Sequence, residues 1–484
     1  MTSSTGGGMP PGPRVSPTDA SAAPATELRR ELGLWDLVLL NVVAIVGLRW
    51  WLTSAGGYGY AALPLWVLAF LCFFVPSGLA VIDLTTRYPE EGGIYAWTKH
   101  AFGDGHGFIS GWCLWTNNLV YFPHLLIFTV GNLVFMLGAK HKGLEASPPF
   151  MAAVSLVIFW IAVWMNIRGL RYGRWLNNLG AYGTWIPAAL LIGIGAVALA
   201  RYGAATPYEP SGLIPVFSLG TVSFFSTICF GFSGLDLGAL MCEEIVEPRK
   251  NVPRAIFISG GIITLIYVLG TAALLVALPQ QNIGLLDGVA AAIAVVQEKM
   301  GFGFLAGFSA LLIALGGVGG VSAWLAGCSR IPFCAGIDRY LPPAFGRLHP
   351  RYASPHVALL ITGGISSLLI FVGFIGVDVE QAYLFLADFT IVVYFIPYLY
   401  LFAALLKLGV PGTAPAGAIT VPGGRAGTVL VAVVGFLTTL VAIVFALVPP
   451  GGSNFWVFEA KILGGCALLL GFGGLLYRRG RRAA

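Results

Sequence analysis

The sequence has 484 residues, of which 57% are hydrophobic and only 10% are charged, and its formal net charge is +6. An ordinary soluble domain carries about 25% charged residues, so this composition excludes a soluble protein and indicates a chain that spans a membrane. The positive residues lie between apolar stretches and form no single patch, so nucleic acid is not expected as a partner.

Twelve apolar stretches follow an N-terminal tail. Residues 1–26 are rich in Gly, Pro, Ser and Thr and lack the apolar run of a signal peptide, which predicts a disordered cytoplasmic tail. A transmembrane helix needs about 20 apolar residues. Residues 284–300 are too weakly apolar for this and are predicted to form an external helix or loop. The stretches that qualify, numbered spans one to twelve, are 34–55, 61–84, 107–138, 148–166, 176–200, 217–240, 254–278, 302–333, 355–375, 380–406, 427–448 and 455–477.

The distribution of Lys and Arg between the spans predicts the topology. If the N-terminal tail lies inside the cell, most Lys and Arg residues fall in segments on the inner side and few fall on the outer side. This bias is the positive-inside pattern of membrane proteins. Both termini are therefore predicted to be cytoplasmic, and we expect a multi-pass protein of the plasma membrane.

Two spans contain glycine-rich runs that predict a break in the helix. Span one contains Val-Gly-Leu-Arg at 46–49, and span six contains Cys-Phe-Gly-Phe-Ser-Gly at 229–234. The runs are five spans apart, which favours two inverted repeats, 27–200 and 201–408, whose broken first helices form a binding site near the midplane. Residues 409–484 add spans eleven and twelve and a short cytoplasmic tail. Alternatively, these glycines only allow close helix packing.

Broken helices suit a zwitterionic solute. Unwound backbone groups are tolerated in a membrane only where they line a cavity or meet a ligand. The N-terminus of a half-helix suits a carboxylate, and the C-terminus of a half-helix suits an ammonium group. An α-amino acid carries both groups, so the predicted all-α fold is suited to a small amino-acid-like solute.

Three segments between the spans resemble a known family. Residues 87–97 read RYPEEGGIYAW, and residues 243–253 read EEIVEPRKNVP. Residues 329–331 read SRI, followed by DRYLP at 338–342. In this order and spacing they resemble the P-x-x-G-G-x-Y signature, the acidic turn ending in (K/R)-N-(V/I)-P, and a third segment of the amino acid–polyamine–organocation (APC) superfamily.

The resemblance implies a broken-helix inverted-repeat fold, an amino acid or related amine as substrate, and a set of site residues. Phe230 is implied as an aromatic gate over the substrate, and Asp236 stands where many members carry Glu. Thr184 stands where certain proton-coupled members carry Lys, so lysine-based coupling is not expected. Span one departs from the family's G-S-G-(I/V)-F run, because the small hydroxyl residue is missing and Arg49 follows. The implied substrate-binding residues are Val46, Gly47, Leu48, Arg49, Asn117, Asn118, Tyr121, Phe230, Gly231, Ser233, Ser322 and Trp324.

Three charged residues at membrane depth are expected to face a cavity or a partner. Arg49 either holds a substrate carboxylate with its planar fork of donors or makes a structural contact, as an ion pair with Asp236 or Asp388 or with a carbonyl. Asp236 either titrates during coupling or anchors the broken helix. Asp388 either carries protons or lines the outer vestibule. His124 is interpreted as a buried core histidine, and the tyrosines of span ten, Tyr394 among them, as packing or interfacial residues.

The sequence favours a transporter over an enzyme. It contains no recognised catalytic motif, nucleotide-binding loop or Cys/His cluster, so no enzymatic activity, cofactor or metal is expected. We predict a secondary active transporter, proton-coupled or an exchanger, that works by alternating access with Gly47 and Gly231 as hinges. The alternative is a nutrient-sensing receptor on a transporter scaffold. The expected partners are the substrate, membrane lipid, and a proton or counter-substrate, while the oligomeric state is open.

Overall fold

The chain folds as a helical bundle. Within the described residues, the only extended pairing is an isolated parallel bridge between Leu32 and Ile245, and all other regular structure is helical. The prediction of an all-α polytopic membrane protein is confirmed. The predicted disordered tail, 1–26, lies outside the described residues. The computed structural model describes residues 30–216, 222–373, 379–410, 412–448 and 455–483.

The helices match the predicted spans. Nine helical stretches in the described ranges are long and apolar enough to cross a membrane, and shorter apolar helices cover Leu34–Ile45 and His356–Phe371. The α-helices in chain order are α1 Leu34–Ile45, α2 Arg49–Tyr58, α3 Ala62–Ala69, α4 Val75–Arg87, α5 Ile94–Phe102, α6 Asp104–Met136, α7 Pro148–Ile167, α8 Leu170–Tyr202, α9 Ser223–Gly231, α10 Asp236–Ala239, α11 Pro248–Ala277, α12 Gly288–Lys299, α13 Ala306–Cys328, α14 Arg330–Ile337, α15 His356–Gly373, α16 Val379–Leu408, α17 Gly424–Ala446 and α18 Phe455–Ala483.

Spans one and six are each broken at the predicted run. The helix of span one stops at Ile45 and resumes at Arg49, so α1 and α2 are its halves. The helix of span six stops at Gly231 and resumes at Asp236, which gives α9 and α10. In the second break Gly234 has φ +118°, a backbone conformation that L side chains rarely adopt. Glycine at this position is therefore required by the path of the chain.

The two C-terminal helices lie outside the central bundle. The most apolar window of α6 is 78% buried inside the protein, whereas that of the stretch Phe458–Arg482 in α18 is only 17% buried. α6 packs against α13 and α16, and α1 packs against α11 and α8. The helices that hold the two breaks are thus surrounded by protein, while α18 presents most of its surface to the lipid.

The described chain ends lie on one side of the bundle. The backbone N–H groups of Glu31 and Leu32 both donate to the carbonyl of Glu244, at 2.9 and 3.0 Å. Near the other end of the chain, the ring of Tyr477 contacts that of Tyr340, with centroids 5.1 Å apart. We call this side the terminal side. The external helix expected within 284–300 is α12, and it lies at the opposite side.

Candidate functional site

One tyrosine hydroxyl joins both broken helices. Tyr267 of α11 is fully buried, and its hydroxyl accepts a hydrogen bond from the Gly47 N–H at 3.2 Å. The same hydroxyl lies 2.6 Å from the carbonyl oxygen of Ile45 and 2.7 Å from that of Gly231. Because a phenol has a single proton, it can donate to only one of these carbonyls at a time.

The two carbonyls form an electronegative pole. Ile45 and Gly231 are the last residues of α1 and α9, and the final carbonyls of a helix carry partial negative charge. The Tyr267 ring is held in place by stacking on Trp66, with centroids 4.2 Å apart. Sequence reasoning did not identify Tyr267, since a tyrosine in an apolar helix is more often a packing residue. The pole is formed by half-helix C-terminal ends, the groups at which the sequence predicts binding of an ammonium group.

A small cavity lies against the break in span one. Its volume is about 20 Å³, which is room for about one water molecule. Five predicted residues line it, namely Val46, Gly47, Leu48, Arg49 and Tyr121. The other lining residues were not predicted and include Thr184 and the glycines Gly316, Gly317 and Gly320. The described site is therefore nearly closed, with α8 and α13 forming its far wall.

Arg49 lies in this site and contacts a histidine, a tyrosine and a tryptophan. Its side chain is buried, with 3% exposure. Its Nε donates to His124 Nε2 at 3.2 Å, and its Nη2 donates to the hydroxyl of Tyr121. The guanidinium carbon lies 4.2 Å from the centre of the Trp50 ring, a favourable cation–π contact. Since His124 accepts through Nε2, this histidine is neutral and carries its proton on Nδ1.

Within the described part of the chain, the charge of Arg49 is not compensated by an ion pair. Among the described residues, no carboxylate oxygen lies within 4.0 Å of its guanidinium nitrogens. The structural ion pair with Asp236 or Asp388 that the sequence left open is therefore not formed. His124 contacts Arg49 directly, so it belongs to the site and is more than a core histidine.

Four aromatic rings close the site. Tyr121 contacts Trp324, and Trp324 contacts Tyr394, each with centroids 5.7 Å apart. Tyr394 contacts Phe230 at 5.5 Å, and Phe230 returns to Tyr121 at 6.2 Å. We call these four residues the aromatic cluster. It joins α6, α13, α16 and α9, so Tyr394 packs between helices, as the sequence led us to expect.

Asp236 fixes the break in span six to α16. Its Oδ1 accepts hydrogen bonds from the hydroxyls of Tyr394 at 3.0 Å and Tyr398 at 2.7 Å. The Tyr398 hydroxyl in turn accepts from the Gly234 N–H at 2.9 Å. The second carboxyl oxygen of Asp236 has no hydrogen-bond partner among the described residues. Asp388 lies six residues before Tyr394, about 9 Å along the same helix, and is buried.

Three other predicted residues contact neighbouring protein instead. Ser322 accepts a hydrogen bond from Asn166 of α7 at 3.0 Å, so its side chain faces α7 and does not line the cavity. Asn118 donates to the sulfur of Cys328 at 2.8 Å. Ser233 donates to the carbonyl of Phe230 at 2.7 Å within the broken turn. Asn117 is buried, and its Oδ1 has no described hydrogen-bond partner.

The structure offers no set of metal ligands at this site. Within the described residues, no group of three or more His, Cys, Asp or Glu side chains is placed to hold a metal ion. What the site does offer is a buried cation, an electronegative pole of helix-end carbonyls, and aromatic walls. These groups are suited to binding a small zwitterion.

Comparisons with known proteins identify the family of the chain. The sequence model of a family described as "Amino acid permease" matches residues 32–466. An uncharacterized transporter of Legionella pneumophila, lpg1691, is 31% identical over 448 residues, covering 91% of this chain and 95% of the relative. The probable agmatine/putrescine antiporter AguD of Lactococcus lactis is 24% identical over 76% of this chain and 78% of its own length.

A human relative and a solved structure extend this likeness. The large neutral amino acids transporter small subunit 2 of Homo sapiens is 29% identical over 74% of this chain and 67% of its own length. The crystal structure of MhsT in complex with L-phenylalanine superposes with a TM-score of 0.62 and 15% identity, covering 87% of this chain and 99% of MhsT. At that identity the superposition shows a shared fold.

Proposed function

The chain belongs to the amino acid permease family, and we propose that it moves an α-amino acid across the membrane by alternating access, as a proton-coupled transporter or an exchanger. The observation that carries the choice of an α-amino acid is the buried guanidinium of Arg49, which has no described carboxylate partner and lines the cavity at a helix break. A buried charge is unfavourable unless it is paired.

A substrate carboxylate would supply the missing partner. Arginine presents a planar fork of donors that matches a carboxylate. Nε and Nη2 of Arg49 are engaged by His124 and Tyr121, and these contacts hold the guanidinium beside the cavity. We therefore assign Arg49 as the carboxylate anchor. This also favours an amino acid over a polyamine, since a polyamine has no carboxylate and would meet an unpaired cation.

The helix-end pole would receive the ammonium group. The carbonyls of Ile45 and Gly231 share the single proton of Tyr267, so one of them is available to a further donor. An ammonium group carries three donors. The Arg49 side chain and the Ile45 carbonyl of this pole belong to the same short break in span one, which suits the two charged groups on one Cα atom.

The aromatic cluster is the proposed gate. Phe230 lies on α9 and contacts rings of three other helices. In the proposed motion, α1 to α4 and α9 to α11 rock against the other helices, with Gly47 and Gly231 as hinges. Phe230 would then leave the aromatic cluster and open the cavity. The terminal side is proposed to face the cytoplasm of the plasma membrane, in line with the Lys and Arg bias.

Asp236 and Asp388 are the proposed coupling groups within the bundle. Asp236 has one unpartnered oxygen, which can take a proton without breaking its bonds to Tyr394 and Tyr398. Asp388 is buried and forms no ion pair with a described cation. Uptake that is driven equally well by a pH gradient in wild type, Asp236→Asn and Asp388→Asn would exclude both as coupling groups.

The function is tested by thermal stabilisation of the purified protein with each common amino acid and polyamine. A ligand that binds only the folded state raises the melting temperature, and the rise grows with the logarithm of the ratio of its concentration to its Kd. We expect a concentration-dependent rise with one class of α-amino acids and none with putrescine. A rise with polyamines alone would contradict the assignment of an amino acid as substrate.

A further inference from the structure

A second charged cluster is buried on the terminal side, away from the candidate site. Glu244 follows α10, and Arg330 begins α14. Nε and Nη2 of Arg330 each donate to one carboxylate oxygen of Glu244 at 2.9 Å. Both side chains are only 3% exposed. This bidentate contact is the strong geometry for an arginine and a carboxylate, so Arg330 and Glu244 neutralise each other.

Glu91 is a third member of the cluster, and among the described residues its nearest cation is the Arg330 that Glu244 already binds. Its side chain is 5% exposed, and its Oε1 lies 3.8 Å from Arg330 Nε. Its Oε2 accepts a hydrogen bond from the Glu243 N–H at 3.0 Å. Oε1 has no hydrogen-bond partner among the described residues. We call Glu91, Glu244 and Arg330 the terminal cluster.

The terminal cluster carries one negative charge too many when both glutamates are ionised. Other titratable groups near it do not supply a second cation in contact with Glu91. From the segment after α10 these are Cys242, Glu243 and Glu244, and from α14 they are Arg330 and Cys334. Glu90 precedes Glu91 in its own loop, while Arg30 and Glu31 act on Cys242 and Glu244 respectively.

Burial and the neighbouring carboxylate of Glu244 raise the pKa of Glu91 well above its usual range, and Arg330 only partly opposes this rise. Burial also raises the pKa of Glu244, but the bidentate contact with Arg330 works against it. Of the two carboxyls, Glu91 is therefore the one that takes up a proton more readily. When it is protonated, Glu91 adds no charge to the cluster, and its unpartnered oxygen can become an O–H donor.

The residues of the terminal cluster lie on segments that would move apart in the proposed rocking motion, so the cluster can act as a gate. Glu91 lies in the loop between α4 and α5, and Glu244 follows the second half of span six. Arg330 lies at the end of α13, on the other side of the proposed rocking motion. Water can enter from the terminal side only if these segments separate, which would expose Glu91 to solvent and remove the cause of its proton affinity.

We propose that Glu91 is a proton-binding residue of a gate on the terminal side, where closing the terminal cluster takes up one proton from the adjoining water and opening it returns the proton. Acid conditions on that side then favour the closed gate. The inference rests on the alternating access of the proposed function but not on the identity of the substrate.

The test compares Glu91→Gln with the matched variant Glu90→Gln. Glu90 is the adjacent residue, is 42% exposed and pairs with His100, so its substitution changes the same charge without touching the cluster. The reporter is the native Cys242, whose thiol is buried in this closed state, where burial raises its pKa to about 12. Labelling therefore reports the open state, in which the thiol and the neighbouring glutamates are in water. N-ethylmaleimide labelling of Cys242 in the purified full-length protein is read by peptide mass spectrometry.

At pH 8 we expect wild type and Glu90→Gln to label at the same rate and Glu91→Gln to label more slowly. The neutral glutamine mimics the protonated gate, and the difference is on the order of tenfold for each unit by which closure raises the pKa of Glu91. Variants are compared at one pH, because the maleimide reaction itself depends on pH. Equal labelling of the two variants at pH 8 would overturn the proposal.

A second measurement covers the case in which Glu91→Gln alters labelling by disturbing the fold. A carboxyl with a raised pKa makes the folded state bind more protons than the unfolded state, so stability falls as pH rises from about 4.5 towards the raised pKa. We expect melting temperatures of wild type and Glu90→Gln to fall over this range, and that of Glu91→Gln to fall less. Identical slopes in all three proteins would overturn the proposal. Both measurements omit substrate, so they can fail independently of the amino-acid assignment.

Discussion

The break in span one and the terminal cluster each contain a buried arginine, and they differ in what surrounds it. Arg49 and Arg330 are both 3% exposed, so burial does not distinguish them. Arg330 faces two carboxylates, whereas Arg49 faces a histidine, a tyrosine hydroxyl and a tryptophan ring. One region therefore has an excess of negative charge, and the other has an unmatched positive charge.

This difference underlies the two proposals, a carboxylate-binding site at Arg49 and a proton-binding gate at Glu91. In the proposed function, a group on the substrate is the anion that completes the region around Arg49. A region with an unmatched carboxylate is completed by a proton, which water supplies whenever the region opens. The comparison predicts that replacing arginine with glutamine mainly lowers the stability of the protein at Arg330 and mainly lowers the affinity for substrate at Arg49.

The largest expected effect is the loss of stability in Arg330→Gln. Removing the cation leaves Glu91 and Glu244 buried without compensation, which costs about 3–5 kcal/mol when a buried pair is broken. The melting temperature of the purified variant should fall far below that of wild type. Arg49→Gln is the matched control and should melt close to wild type without substrate, because it strands no carboxylate. Similar melting temperatures for the two variants would contradict the claim that only Arg330 compensates buried carboxylates.

A smaller effect is expected for Tyr267→Phe. The substitution keeps the ring that stacks on Trp66 but leaves the backbone groups of Gly47, Ile45 and Gly231 without the hydroxyl, at a cost of about 1–3 kcal/mol. Tyr60→Phe is the control, since its half-buried hydroxyl makes one bond, to the Thr206 carbonyl at 3.2 Å. Melting temperatures lowered equally by both substitutions would show that Tyr267 does not hold the two breaks together.

The overall fold was largely predictable because membrane burial leaves a strong sequence signal. Apolar stretches of about 20 residues mark spans, and glycine-rich runs in spans one and six mark the breaks. Arg49 could be singled out because a charge inside an apolar stretch is rare. The break residues Val46 to Arg49 duly line the cavity with Tyr121.

The direction in which each side chain points from its helix was harder to predict. Ser322 and Trp324 were both assigned to the pocket, yet residues two apart on a helix point to different faces. Trp324 belongs to the aromatic cluster, whereas Ser322 contacts Asn166. Tyr267 gave no signal, since its role depends on two breaks that are distant in sequence. Glu91 lies within a family-like motif, and only its distance to Arg330 reveals the excess charge.

The most direct test of the central claim, that Arg49 anchors a carboxylate, is ligand-induced stabilisation of wild type and Arg49→Gln. Each amino acid is compared with its decarboxylated amine, such as phenylalanine with phenethylamine and arginine with agmatine. We expect wild type to be stabilised by an amino acid and not by its amine, and Arg49→Gln to bind that amino acid roughly 10- to 100-fold more weakly, the effect of losing a charged hydrogen-bonded pair. The exposed Arg171→Gln should behave as wild type. Unchanged affinity in Arg49→Gln, or equal stabilisation by amino acid and amine, would contradict the account.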